Sequence, residues 1–177
     1  MTALATIIRN ATRKKDEPYN ILTLIDDDIE YIVKLASTGH NIYCWSKVND
    51  VGWPKEVQKP DNCYIVSSES WPSRVTLDLA ICTNRGFFQF FRNACDNFHM
   101  PLILLEHQVP TQEYMNFNIQ EWRTLQTFEG DINVFSSEAS RDTWDKLGYV
   151  VETQSETFSE SWNNIMQEAC SLIYTRM

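Results

Sequence analysis

Short runs of consecutive apolar residues alternate along this chain with stretches in which apolar residues return every third or fourth position, the periods of buried strands and one-sided helices. The first run, residues 20–25 (NILTLI), leads into Asp26, Asp27 and Asp28, which offer N-cap chemistry to a helix. That helix carries Ile29, Ile32, Val33 and Ala36 on one stripe and is expected to stop at Gly39, a residue suited to the left-handed position after a helix. Residues 41–45 (NIYCW) are β-prone, so 20–45 form one βαβ unit. Residues 46–62 contain Gly52, Pro54 and Pro60 and predict an irregular connection, followed by strands over 63–67 (CYIVS) and 77–83 (LDLAICT).

A phenylalanine-rich helix is predicted over about 86–97, a fully buried strand over 101–105 (PLILL), and a helix over about 112–128. Then come a strand over 132–136 (INVFS), a helix over 138–147 closing at Gly148, and a short strand within 149–152. The tail over 159–174 is amphipathic, with Trp162, Ile165, Met166, Ala169 and Ile173 on one stripe. Residues 1–17 form an amphipathic N-terminal helix or arm, with Leu4, Ile7, Ile8 and Ala11 on one face. The rhythm predicts α/β: a single Rossmann-like domain over 1–177, doubly wound around a mainly parallel sheet with flanking helices. The C-terminal helix, 157–176, is expected to dock on it.

Composition narrows the class. A 43% hydrophobic fraction with 12% aromatic residues is globular, and no stretch approaches the roughly 18 apolar residues of a membrane span. The N-terminal charges follow the apolar residues instead of preceding them, the wrong order for a secretory signal, so a cytoplasmic protein is expected. A net charge of −9 makes nucleic acid an unfavourable partner. The basic cluster Arg13, Lys14 and Lys15 reads as a solvated helix end. Five cysteines without a C-x-x-C pair read as reduced core residues, and His40, His99 and His107 lack ligand spacing, so no metal is expected.

In sheets of this kind ligands lie beyond the carboxyl ends of the strands. The loops expected there contain Asp26 to Asp28, Ser67 to Glu69, Asn84 to Gly86, Glu106 to Gln108 and Ser137 to Arg141, and none is a glycine-rich phosphate loop. His107 is the candidate base or acceptor contact, with Glu106 beside it to orient the ring. Asn84 and Arg85 either bind a phosphate or sugar hydroxyl or stabilise their loop. Ser137, Glu138 and Arg141 either belong to an ordinary helix cap or hold a polar ligand. The three aspartates argue against phosphate at the first loop.

Four segments together resemble glycosyltransferases of the GT-B fold, particularly those of bacteriophages: TGHNIY at 38–43, residues 78–84, LLEHQVP at 104–110, and GDINVFSSE at 130–138. The likeness covers roughly 18–150, the acceptor-binding half of that family, and 157–170 resembles its final crossover helix. The donor-binding domain has no counterpart. The resemblance places His107 at the family's cleft histidine and Ser137 with Arg141 on loops facing the acceptor. It implies a truncated member acting by binding, with no tightly bound cofactor. The alternatives are an active minimal glycosyltransferase whose donor site a second chain completes, with a nucleotide sugar as substrate, or a phage protein directed at a host factor. Loss of the second domain would also expose Trp53, Trp71, Phe87 and Phe88, favouring a homo-oligomer or another protein partner.

Overall fold

The computed structural model describes residues 3–14, 16–25, 29–46, 52–66 and 75–174. The expected cap at Asp26 to Asp28, the loop from Ser67 to Glu69, Trp71 and Lys15 lie outside the described residues. Seven strands pair in parallel: β1 (Asn20–Ile25), β2 (Asn41–Ser46), β3 (Cys63–Val66), β4 (Leu79–Cys82), β5 (Leu102–Glu106), β6 (Ile132–Phe135) and β7 (Tyr149–Val150). Their order in the sheet is β3-β2-β1-β4-β5-β6-β7, so the chain reverses its direction of travel between β1 and β4. This is a Rossmann-like sheet.

Alternation along each strand divides the core. Ile21, Ile25, Leu79, Ile81, Ile103 and Leu105 face α2 (Ile29–Ala36) and the C-terminal helix, whereas Leu22, Leu24, Ala80, Cys82, Leu102 and Leu104 face the phenylalanine-rich helix α3 (Phe88–Phe98). The remaining helices among the described residues are α1 (Ala3–Thr12), α4 (Gln112–Phe117), α5 (Ile119–Gln126), α6 (Glu138–Trp144) and α7 (Phe158–Tyr174). Helix α7 docks as its stripe predicts: Trp162, Ile165, Met166 and Ala169 are buried, and Trp162 Nε1 donates to the Tyr31 hydroxyl, which donates to the Val151 carbonyl. All five cysteines are buried free thiols. Among the described residues no helix is long and apolar enough to cross a membrane.

Several sequence expectations are corrected. The helix expected over 112–128 is two helices, because Asn118 leaves helical geometry (φ −119°, ψ 44°) and its side-chain amide bonds the Tyr114 carbonyl. Helix α6 ends at Trp144 with Asp145 in the left-handed region (φ 53°), well before Gly148. Gly148 instead admits β6: a Cβ there would stand 2.5 Å from the Asn133 carbonyl oxygen. Phe88 is buried and stacked on Phe128, Trp53 packs against the core, and Phe87 is partly buried. Among the described residues, Phe117 (81% exposed) and Leu147 (92%) are the large apolar side chains most open to solvent, rather than Trp53, Phe87 or Phe88.

Of the basic cluster, Lys14 is exposed as expected, but Arg13 is not a solvated end. Helix α1 turns polar residues inward, with Thr6 fully buried, and leaves Leu4 and Ile8 exposed. Arg9 Nε and Arg13 Nη2 reach the buried Asp78 carboxylate at 2.8 and 2.6 Å, and Arg13 lies over the Tyr19 ring. Asp78 also accepts from the Asn20 backbone N–H, which fixes α1 across the amino ends of β1 and β4.

His40 is buried between strands and α7. Its Nδ1 accepts from the Tyr19 N–H at 3.0 Å, which makes Nε2 the protonated nitrogen donating to Asn163 Oδ1 at 2.6 Å. Burial holds its pKa below the ordinary value of 6.5. The unfolded chain therefore takes up this proton first, so the stability tied to neutral His40 is complete above about pH 6.5 and is lost as pH falls through the folded value. Urea melts between pH 7.5 and 5 are expected to lose stability more steeply for the native chain than for His40→Gln. Parallel curves would refute the assignment.

Candidate active site at the carboxyl edge of the sheet

The carboxyl ends of β4 and β5 and the helices beyond them enclose a cavity of about 550 Å³, within the range of small-molecule sites. Asn84 shapes its near wall: its extended backbone and side-chain oxygen, which accepts from the Gly86 N–H at 2.8 Å, cap the tight turn Arg85–Phe87 that leads into α3. The cap turns Arg85 inward, where its side chain is 3% exposed.

Arg85 ties three elements together. Nε donates to Glu106 Oε2 at 2.9 Å, and Nη1 donates to the carbonyls of Leu125 at 2.7 Å and Phe128 at 3.0 Å. These carbonyls lie at the C-terminal end of α5, where a helix favours a cation. The guanidinium carbon sits 4.2 Å from the centre of the Trp144 ring, which in turn packs against Trp122. With Nε and both Nη1 hydrogens committed, the Nη2 hydrogens are its remaining donors. Glu106 is the last residue of β5, and its other oxygen accepts from the Gln108 N–H at 3.0 Å. Burial raises the Glu106 pKa against the pull of that N–H and of Arg85, and burial lowers the Arg85 pKa against Glu106. The pair forms a buried, oriented dipole at the cavity floor.

The walls add groups of mixed polarity. The Thr83 hydroxyl is buried with no hydrogen-bond partner among the described residues. Tyr114 and Glu121 also line the cavity, and the Tyr114 pKa is raised by desolvation and by the Glu121 carboxylate. The Gln108 carbonyl accepts from Ser140 Oγ at 2.7 Å and from Trp144 Nε1 at 3.3 Å, which anchors α6 to the loop after β5.

The structure brings together part of the set expected from sequence. Asn84, Arg85 and Glu106 line the cavity. His107 does not line it, although Glu106 and Gln108 on either side do. Ser137 is the N-cap of α6, its hydroxyl accepting from the Ser140 N–H at 3.1 Å. Glu138 is exposed, and Arg141 lies 3.9 Å from Asp142; neither these nor Ser137 lines the cavity. Sequence reasoning missed Thr83, Tyr114, Glu121, Leu125 and Trp144. A signal existed for three of them, since Tyr114, Glu121 and Leu125 follow helical spacing on one face. Among the described residues no three His, Cys, Asp or Glu side chains converge as a metal site would need.

Comparison with known proteins gives no match: no family model, no curated protein and no solved structure matches this chain. Its chemistry therefore rests on the residues of the cavity.

Proposed function

We propose that this chain is a glycosyltransferase-like binding protein, built on the acceptor half of a GT-B cleft, that holds a small hydroxylated ligand in the carboxyl-edge cavity. The observation that carries this is the buried Arg85–Glu106 pair at the cavity floor, an oriented donor and acceptor of the kind that fixes a sugar hydroxyl. Two of the segments that resemble the family converge here: 78–84 supplies Thr83 and Asn84, and 104–110 supplies Glu106, Gln108, Val109 and Pro110. The segment at 38–43 belongs to the opposite, amino edge, where β2 begins.

Binding is favoured over turnover because group transfer needs donor and acceptor held together. The only cation lining the cavity among the described residues is Arg85, already paired, so a diphosphate has nothing to neutralise it. Titration of the purified protein with monosaccharides and nucleotide sugars, followed by the Trp144 indole N–H resonance, tests this. Free sugars are expected to shift the resonance, and UDP- or GDP-sugars to bind no more tightly than the sugar alone. A micromolar Kd for a nucleotide sugar in the isolated chain would overturn the proposal.

A further inference from the structure

The charges around the cavity do not cancel. Its charged lining residues are Arg85, Glu106 and Glu121. Arg85 and Glu106 neutralise one another at 2.9 Å, and the guanidinium's positive charge is further committed to two carbonyls and the face of Trp144. Glu121 remains as the uncompensated charge lining the cavity, with Tyr114 also on its lining. No lysine or second arginine lines the cavity among the described residues, and the whole chain carries −9. A concave site of one charge sign concentrates ligands of the other sign.

The hydrogen-bonding groups, by contrast, suit hydroxyls. Arg85 Nη2 and the Asn84 amide can donate, Glu106 has lone pairs beyond those taken by Arg85 and Gln108, and the buried Thr83 hydroxyl has no partner among the described residues. A buried hydroxyl without a partner is destabilising unless a ligand or water completes it. We infer that the ligand is a hydroxylated molecule bearing a protonated amine, of the amino-sugar class, with its hydroxyls on Arg85, Glu106 and Thr83 and its ammonium towards Glu121. This rests on the binding function proposed above and names the ligand class of that same cavity.

The test uses the full chain at low ionic strength and four probes: glucose, glucosamine, N-acetylglucosamine and glucose 6-phosphate. Glucosamine is expected to bind about two- to fivefold more tightly than glucose or N-acetylglucosamine, as fits one partly exposed charge pair. Glucose 6-phosphate is expected to bind most weakly. In Glu121→Gln, a surface change whose melting curve reports the fold, the ratio of glucosamine to glucose affinity is expected to fall to about one. Equal affinity of native protein for glucosamine and N-acetylglucosamine, or a preference that survives in Glu121→Gln, overturns the inference and leaves sugar binding standing. No response to any of the four sugars overturns both.

Discussion

Replacing Asp78 with alanine is expected to destabilise the protein by about 3–5 kcal/mol, because it removes the buried carboxylate shared by two partly buried cations and leaves Arg9 only Glu17 and the Pro18 carbonyl, and Arg13 only the Glu17 carbonyl and the Tyr19 ring. Asp78 is fully buried and bonds Arg9, Arg13 and the Asn20 N–H, so its removal opens charge and backbone contacts together. The arginines' side chains are only 23% and 12% exposed, so water replaces the carboxylate poorly. Urea denaturation with a two-state fit measures the loss. Asp78→Asn should lose less, since an amide oxygen still accepts from Asn20. A loss below about 1 kcal/mol for the alanine variant would show that the pair behaves as a surface contact.

Arg85→Leu is expected to cost a similar amount, about 3–5 kcal/mol, for the mirror-image reason: the Glu106 carboxylate is left buried without its cation. Two helix-end carbonyls lose their donor in the same step, and the Trp144 ring loses the cation stacked on it. Glu106→Gln keeps an acceptor for Arg85 Nε and should be the milder change, closer to the loss of one charge-assisted hydrogen bond, about 1.5–3 kcal/mol. Denaturation midpoints for the two variants give the order directly, and equal losses would mean that charge is not what Arg85 supplies. Sugar binding should fall in both variants, since both change the cavity floor. In a folded Glu106→Gln protein the fall reports on ligand recognition itself.

The Asp78 and Arg85 ion-pair systems lie at opposite edges of one sheet. Asp78 precedes β4 and holds the N-terminal helix at the amino edge, whereas Arg85 follows β4 and builds the cavity at the carboxyl edge. A short strand, Leu79–Cys82, thus connects a structural latch to a candidate binding site. The central position of β4, beside the reversal in strand order, makes both edges reachable from many elements.

The sequence by itself determined the strand and helix alternation, the parallel sheet and the docking of α7, because each follows from a local period. Leu102 to Leu105 are apolar without a break, so the strand had to be covered on both faces; Trp162, Ile165, Met166 and Ala169 repeat at helical spacing, so one face had to be buried. Asn84, Arg85 and Glu106 were legible as site candidates because strand ends are predictable and ligands gather there. Only the tertiary structure decided what those residues do. Arg85 meets Glu106 across 21 residues and Arg9 meets Asp78 across 69, contacts set by which strands become neighbours and in what register. No local period encodes that choice. The same holds for Gly148, whose backbone signal suited a helix end as well as the close approach to β6 that it serves, and for Trp144, the last residue of its helix, which lines the cavity. Polar partners are chosen by long-range geometry, while apolar residues need only reach the interior, so the core was readable from the sequence and the wiring of its charges was not.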